Sequence, residues 1–206
     1  MLKISLEGAS KRFQYEWIFK NLSLEISSGT AMAVTGSNGS GKSTLLKCLA
    51  GAIPLSQGKI SYHIDDQLIP ESDWFKNITI SAPYMELPEE LNLQELIQFH
   101  FKFKRPKKGI QIESIPEILY LEAHKTKQVA LFSSGMKQRL KLGLALFSQS
   151  NVVYLDEPTS NLDKKGIAWY LEMVGTYSKN QILIICSNEP REFEFCEKKI
   201  VLEDYK

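Results

Sequence analysis

The distribution of hydrophobic positions along the chain predicts two kinds of strand. In Leu22–Ile26 and Ile60–Ile64, apolar and polar residues alternate with a period of two, which is typical of half-buried strands. The segments Ala31–Val34, Val152–Leu155 and Ile182–Ile185 are continuous apolar runs, as expected for strands covered on both faces of a parallel sheet. The sequence therefore predicts an antiparallel, β-rich flank beside a parallel core.

Helical periodicity is concentrated in the middle of the chain. Leu91–Phe103 carries apolar residues at helical spacing, and Pro116–Tyr120 and Met136–Phe147 also have a helical pattern. Roughly residues 87–131 are therefore predicted to form a helical insertion in an α/β core. The chain has no internal repeat or low-complexity segment, which favours a single domain spanning residues 1–206.

Amino-acid composition excludes fewer classes of function than the pattern of apolar residues does. The 206 residues include 25 basic and 24 acidic ones, so a net charge of +1 names no polyanionic partner. The three cysteines lack metal-ligand spacing, which favours reduced, buried thiols. Met1–Leu6 alternates like a strand and lacks the apolar core of a signal peptide, and no apolar stretch approaches 18 residues. Any membrane span is therefore expected from another chain.

A strand, a glycine-rich loop and a helix follow one another at residues 31–49. The loop reads Gly-Ser-Asn-Gly-Ser-Gly-Lys-Ser, the pattern of a phosphate-binding P-loop. Glycines let the backbone wrap around phosphates, and the helix presents its positive end to the anion. Lys42 is expected to meet the β and γ phosphates of ATP, and the Ser43 hydroxyl is expected to bind Mg²⁺. The predicted nucleotide contacts are Gly36, Ser37, Asn38, Gly39, Ser40, Gly41, Lys42 and Ser43.

A second motif follows at the end of the apolar strand Val152–Leu155. Asp156 and Glu157 lie at its carboxyl edge, which is where α/β sheets bind ligands. We expect Asp156 to hold Mg²⁺ through water, and Glu157 to polarise the water that attacks the γ phosphate. By itself an Asp-Glu pair also fits a helix cap, but the glycine-rich loop upstream favours catalysis.

At Phe132–Leu140 the chain resembles the Leu-Ser-Gly-Gly-Gln signature of ATP-binding-cassette (ABC) proteins. Phe132, Ser134 and Met136 depart from that pattern, and as an isolated string the segment fits a simple helix cap better. The resemblance implies an ABC-type P-loop ATPase fold, and it covers nearly the whole chain with motifs in family order. It also implies that Ser133, Gly135 and the amide of Met136 contact the γ phosphate bound by a partner subunit.

Further roles come from the resemblance alone. It implies that Thr44 contacts the α phosphate and that Phe13 stacks on adenine, although Tyr15 and Trp17 are close enough to compete for that role. Ser160–Asp163 looks like the family's D-loop, which links two ATP sites across a dimer. As bare residues this segment is an ordinary turn before a helix.

Two positions differ from the family. Where a glutamine usually reaches Mg²⁺, this chain has Ala82–Glu86, in which neither Pro83 nor Met85 can ligate a metal through a side-chain oxygen. Asn188 replaces the usual switch histidine. An amide can donate to a γ phosphate but cannot carry a proton near neutral pH, which leaves Glu157 as the main catalytic group and makes slow turnover or an asymmetric heterodimer alternatives.

The preferred function is an ATP-hydrolysing subunit of an ABC transporter that works as a homo- or heterodimer with integral membrane permease subunits. Its expected location is the cytoplasmic face of the membrane. The alternative is a non-transport ABC-type switch acting on nucleic acid or ribosomes, which only the five positive charges of Lys102–Lys108 support. Near-neutral charge argues against nucleic acid as a partner. A nucleotide kinase would need an arginine-rich lid that the sequence lacks.

Overall fold

The computed structural model describes residues 1–206, which fall into two units. Unit 1 comprises Met1–Ile78, Ser150–Glu157 and Asn180–Lys206, and unit 2 comprises Thr79–Gln149 and Pro158–Lys179. The predicted helical insertion at about residues 87–131 lies within unit 2. No helix in the chain combines the length and the apolar character that a membrane crossing requires.

An antiparallel sheet forms the first layer of unit 1. Its strands are β1 (Leu2–Phe13), β2 (Glu16–Ser27), β4 (Gln57–Ile64) and β5 (Gln67–Ile69), in the order β2, β1, β4, β5. Ile4 of β1 lies opposite Ile26 of β2 and Tyr62 of β4, and all three side chains are fully buried. Alternation along β1 and β2 thus covers one face of the sheet, and the prediction of an antiparallel flank is confirmed.

A parallel sheet supports the functional residues of unit 1. The strands β7 (Val152–Asp156), β8 (Ile182–Cys186), β3 (Ala31–Thr35) and β9 (Lys198–Val201) lie side by side in that order, each parallel to its neighbour. Every residue of β7 and β8 is buried, as their continuous apolar runs predict. Because the strands are parallel, their carboxyl ends meet at one edge.

Two helices and one strand complete the regular elements of the N-terminal segment. Helix α1 (Lys42–Leu49) follows β3, helix α2 (Trp74–Asn77) is a single turn, and β6 (Ile78–Ser81) begins at the last residue of this segment of unit 1. Below α1, the hydroxyl of Tyr62 donates to the carbonyl of Leu49 at 2.8 Å and also meets the hydroxyl of Tyr154. These contacts satisfy the polar atoms of two fully buried aromatic side chains.

Unit 2 is helical. Its helices are α3 (Leu93–Phe103), α4 (Ile115–Ile118), α5 (Ser134–Phe147) and α6 (Lys164–Tyr177). Helix α3 begins with a capping box, in which Asn92 and Glu95 satisfy each other's backbone N–H groups. Trp169 of α6 is buried and donates to the carbonyl of Ile118 at 2.8 Å. The parallel core, the antiparallel flank and the helices confirm the predicted α/β fold class.

Candidate functional site

The loop between β3 and α1 adopts a backbone that only glycine accommodates at two of its positions. Gly36 has φ 146° and Gly41 has φ 107°, both in the left-handed half of conformational space. A Cβ at Gly36 would lie 2.4 Å from Oε2 of Glu203, and one at Gly41 would lie 2.1 Å from a methyl group of Ile18. The glycines therefore serve both the turn itself and close packing around it.

Lys42, the first residue of α1, is folded back over the start of this loop. Its side chain is 6 % exposed, and Nζ donates to the carbonyl oxygens of Gly36 at 2.6 Å and Ser37 at 3.1 Å. These two bonds hold an ammonium group, which has three donors, beside the backbone of the predicted phosphate-binding loop. The arrangement keeps a positive charge near the N-terminus of α1, where an anion would be favoured.

Asp156 ends β7 as a buried carboxylate, only 2 % exposed. Burial raises its pKa, and the adjacent charge of Glu157 raises it further, whereas a hydrogen bond from Ser43 and the charge of Lys42 oppose that rise. Its Oδ1 atom is buried without a hydrogen-bond partner. A buried, unpaired carboxylate oxygen beside a serine hydroxyl is a donor set that suits Mg²⁺, which prefers oxygen ligands. The predicted metal residues Ser43 and Asp156 are therefore brought together.

Glu157 is exposed and lies just beyond β7. Its backbone has φ 44°, a left-handed conformation that is uncommon for residues other than glycine. The N–H group of Glu157 donates to the carbonyl of Cys186 at 2.9 Å, so the end of the neighbouring strand β8 holds the residue in this conformation. Such strain is typical of functional positions, and here it occurs at an exposed acidic residue.

Asn188 lies two residues beyond β8 and contacts the glycine-rich loop with both ends of its amide. Its Oδ1 accepts from the N–H of Gly36 at 3.1 Å, and its Nδ2 donates to Oδ1 of Asn38 at 3.2 Å. Asn188 is therefore close to the predicted phosphate-binding residues. The structure shows it linking the first and third loop positions, and its predicted contact with a γ phosphate remains a prediction.

The remaining loop residues complete the surroundings of Lys42. Ser40 accepts a bond at its carbonyl from Nζ of Lys206 at 2.9 Å, and its own hydroxyl is buried without a partner. The backbone N–H of Ser40 donates to the carbonyl of Ser37 at 3.0 Å, which closes a turn centred on Asn38 and Gly39. Gly39 has φ 80°. Ser43 and Thr44 follow in the first turn of α1, half-buried.

Phe13 lies at the tip of the hairpin between β1 and β2, where it is 49 % exposed. Nζ of Lys11 lies 4.9 Å from the centroid of its ring, a cation–π contact. The competing aromatics differ in their surroundings. Tyr15 is 96 % exposed, and the guanidinium of Arg12 lies 5.5 Å from the ring centroid of Trp17. Adenine stacking by Phe13 stays a prediction.

In unit 2, the signature-like segment begins α5. Ser133 is the N-cap, and its hydroxyl accepts from the N–H of Met136 at 3.3 Å. A Cβ at Gly135 would lie 2.9 Å from the backbone oxygen of Asn161, so glycine allows the D-loop-like segment to pack closely on the helix start. Around them is an open concavity of about 280 Å³, lined by Ser133, Ser134, Gly135, Met136, Arg139, Asn161, Leu162 and Asp163.

The segment that replaces the family glutamine is a turn of unit 2. The N–H of Met85 donates to the carbonyl of Ala82 at 3.1 Å, and Nζ of Lys141 donates to the carbonyls of Ala82 at 3.1 Å and Pro83 at 3.3 Å. Tyr84 is 45 % exposed and Met85 41 % exposed. Lys141 thus fixes the backbone of this turn, in which Ala82 is buried and Tyr84 and Met85 are exposed.

Sequence reasoning missed one residue of the loop's surroundings. Glu203, in the Leu202–Tyr205 turn after β9, accepts from the N–H of Ser37 at 2.5 Å and from its hydroxyl at 2.8 Å. Nothing in the local sequence marks this glutamate, because its place beside Ser37 depends on the pairing of β9 with β3. The sequence motifs therefore gave no role to Glu203.

Comparison with known proteins places this arrangement in a family. The sequence model of the ABC transporter family matches residues 19–160. The uncharacterised ABC transporter ATP-binding protein YybJ of Bacillus subtilis (strain 168) is 29 % identical over 92 % of this chain and 86 % of its own length.

A second relative carries a longer chain. The maltose/maltodextrin import ATP-binding protein MalK of Vibrio parahaemolyticus is 34 % identical over 79 % of this chain, which spans only 44 % of that relative. Among solved structures, the ATP-binding cassette MJ0796, a dimer in a post-hydrolysis state bound to ADP and Pi, superposes with a TM-score of 0.81. It is 20 % identical and covers 97 % of this chain and 94 % of its own.

Proposed function

This chain belongs to the ABC transporter family as an ATP-binding and ATP-hydrolysing subunit, and we propose that it uses MgATP to drive conformational change in membrane partners. The observation that carries the proposal lies at the carboxyl edge of the parallel sheet in unit 1. There a glycine-shaped loop, the folded-back Lys42 and the unpaired buried oxygen of Asp156 converge. Together these features suit a triphosphate and its metal ion.

Mg²⁺ would be held by the hydroxyl of Ser43 and, through water, by Asp156. When bound, the ion offsets negative charge on the phosphates during transfer. The burial of Asp156 supports this assignment, because an ionised carboxylate in an apolar setting is stabilised by a nearby cation. The backbone N–H groups of Gly39 and Gly41 are proposed phosphate donors. Lys42 would keep its bonds to the carbonyls of Gly36 and Ser37 and would meet the β and γ phosphates with its third N–H donor.

In the proposed reaction, Glu157 orients and polarises a water molecule that attacks the γ phosphate in line with the leaving ADP. Its exposure and its strained backbone support this role. Asn188, which contacts the loop, is proposed to donate to the γ phosphate without carrying a proton. Thr44 is proposed to contact the α phosphate, and Phe13 to stack on adenine through the ring face opposite Lys11.

We propose that two such subunits, identical or different, sandwich the nucleotide. Ser133, Gly135 and the N–H of Met136 at the start of α5 would contact the γ phosphate held by the other subunit. Loss of that phosphate on hydrolysis removes the bonds that keep the dimer closed. Residues 1–206 would act as one ATP-binding domain, with the helical insertion at about 87–131, beside integral membrane permease subunits on the cytoplasmic face of the membrane.

Steady-state MgATP hydrolysis by the Glu157→Gln variant tests the catalytic assignment. Glutamine keeps the size of the side chain but removes the carboxylate, so we expect kcat to fall by about 10² or more while MgATP still binds. A matched control is Glu7→Gln, since Glu7 is an exposed acid on β1 of unit 1 that has no part in the proposed site. Equal hydrolysis by wild type and Glu157→Gln would reject catalysis by Glu157.

Two lysines of the basic segment that supported the alternative function, a switch acting on nucleic acid, are partly buried. In Lys102–Lys108, Nζ of Lys107 donates to the carbonyl of Tyr177, and burial lowers the pKa of Lys107 to about 8. Burial also lowers the pKa of Lys104. Partly buried amines of this kind are poorly placed to neutralise nucleic acid phosphates, so the transport function is preferred.

A further inference from the structure

The peptide group between Gly36 and Ser37 is held at both ends. Its carbonyl, on Gly36, accepts from Nζ of Lys42 at 2.6 Å, and its N–H, on Ser37, donates to Oε1 of Glu203 at 2.5 Å. The carbonyl and N–H of a trans peptide point in opposite directions from one rigid plane. A carboxylate that fixes the N–H therefore also fixes the direction in which the carbonyl faces.

The position of Glu203 is set by the sheet rather than by the loop. In the register between β3 and β9, Thr35 lies opposite Val201, and the hydroxyl of Thr35 donates to the carbonyl of Ile200 at 3.2 Å. Leu202 is fully buried. Because Thr35 directly precedes Gly36, and Leu202 anchors the turn that follows Val201, Glu203 is held beside the first peptide of the loop.

The charge of Glu203 is directed at this peptide and at Lys42. The carboxylate also accepts from the hydroxyl of Ser37 at 2.8 Å, and its Oε2 lies against Gly36 without a hydrogen-bond partner. The bonds from Ser37 lower the pKa of Glu203 most, and the charge of Lys42 contributes. A carboxylate at one end of an amide and an ammonium at the other polarise it in the same sense, which strengthens both bonds.

We propose that Glu203 is a positioning residue for nucleotide binding. It orients the Gly36–Ser37 peptide so that the carbonyl of Gly36 holds Lys42 beside the phosphate-binding backbone. Glu203 does not touch the nucleotide in this account; it acts through Lys42. The inference rests on the proposed function, because it assigns Glu203 a part in the same site. Pre-organising the loop lowers the entropy lost on binding, so Glu203 affects MgATP affinity rather than the chemical step.

The test compares Glu203→Ala with Asp204→Ala, a variant that removes a negative charge from the same turn at an exposed residue. In steady-state MgATP hydrolysis by the full chain, we expect Glu203→Ala to raise KM about tenfold, because both bonds from Ser37 to the carboxylate are lost, with kcat altered less than about twofold. Asp204→Ala leaves KM unchanged. Equal rises in both variants would show a general charge effect and overturn the proposal.

If Glu203 had only a structural role, its replacement would have a different effect. Glu203→Ala would then lower the thermal midpoint and the active fraction, and hence the apparent kcat, while KM stays at the wild-type value. That outcome overturns the proposal. Ser37→Ala is a second variant in case Glu203→Ala does not fold. It removes only the hydroxyl contact, and we expect KM to rise about threefold, less than in Glu203→Ala, because the bond from the N–H of Ser37 to Glu203 remains. An unchanged KM in Ser37→Ala contradicts the proposal.

Dependence on Lys42 separates this inference from the function on which it rests. In a Lys42→Ala background, Glu203→Ala is expected to change MgADP affinity by less than about twofold, because the group through which Glu203 acts is absent. The readout is titration with a fluorescent ADP analogue. A further tenfold loss in that background overturns the route through Lys42. If wild-type protein itself binds neither MgATP nor MgADP, the proposed function fails first, and the two failures are thereby distinguished.

Discussion

At the scale of single residues, Asp156 illustrates how a binding site costs stability. Its carboxylate is 2 % exposed, one of its oxygens is unpaired, and burial raises its pKa. A raised pKa means that the folded protein disfavours the ionised form, so at neutral pH this group destabilises the fold. The cost disappears once a cation compensates the charge.

The Asp156→Asn variant is therefore expected to melt a few degrees above wild type at pH 7 in the absence of Mg²⁺ and nucleotide. Asparagine removes the buried charge and keeps an oxygen that accepts from Ser43. The difference should shrink as the pH falls through the raised pKa of Asp156, because wild type then carries a neutral acid there too. Scanning calorimetry at several pH values measures this, and a lower midpoint for Asp156→Asn at pH 7 would argue against the cost.

Residues that belong to a local sequence motif could be identified from the sequence, whereas a residue whose contact depends on strand pairing could not. Lys42 and Asp156 lie at fixed offsets from glycine and from an apolar strand end, so local chemistry identifies them. Glu203 lies 166 positions from its partner Ser37. Its contact exists only because β9 pairs with β3, and no single-sequence pattern reports which strands are neighbours.

At the scale of secondary-structure elements, the sequence predicted most clearly those strands that are buried along their whole length. The continuous apolar runs of β3, β7 and β8 predict strands that are buried on both faces. The alternating stretch at Leu22–Ile26 identifies only part of β2, which extends over Glu16–Ser27. The register with β1 is irregular beyond Leu6, and such bulges disturb the alternation on which a pattern-based boundary depends.

Alanine substitutions at two glycines in the helices of unit 2 are expected to change stability in opposite directions. At Gly175 in α6, an added Cβ meets nothing within 4 Å, so Gly175→Ala should stabilise the protein by about 0.4–1 kcal/mol through lower chain entropy in the unfolded state. At Gly135 in α5, a Cβ lies 2.9 Å from the backbone of Asn161, and Gly135→Ala should destabilise by about 1–3 kcal/mol through overpacking.

Urea denaturation of both variants gives these free energies directly. Gly175→Ala also serves as the matched control for the substitution itself, because both changes add one methyl group to a helix. A stabilising Gly135→Ala would show that the D-loop-like segment moves away from the start of α5 without cost, and would contradict the tight packing described for unit 2.

At the scale of the whole molecule, the proposal of a nucleotide sandwich predicts assembly that depends on MgATP. Glu157→Gln, which retains MgATP, should shift from monomer to dimer when MgATP is added, as measured by sedimentation velocity. Adding Ser133→Glu should prevent this, because a carboxylate at the start of α5 repels the γ phosphate of the other subunit. A Glu157→Gln protein that stays monomeric at saturating MgATP would contradict a homodimer.

Nucleotide binding by the Gly36–Ser43 loop together with Asp156 is the premise of the proposed function. Isothermal titration calorimetry of wild-type protein with MgATP measures this directly. We predict one MgATP bound per chain, with affinity reduced about tenfold or more by Lys42→Ala, because the lysine makes charge-assisted bonds to the phosphates. Folded wild-type protein that takes up no MgATP, or a Lys42→Ala variant with unchanged affinity, would contradict it.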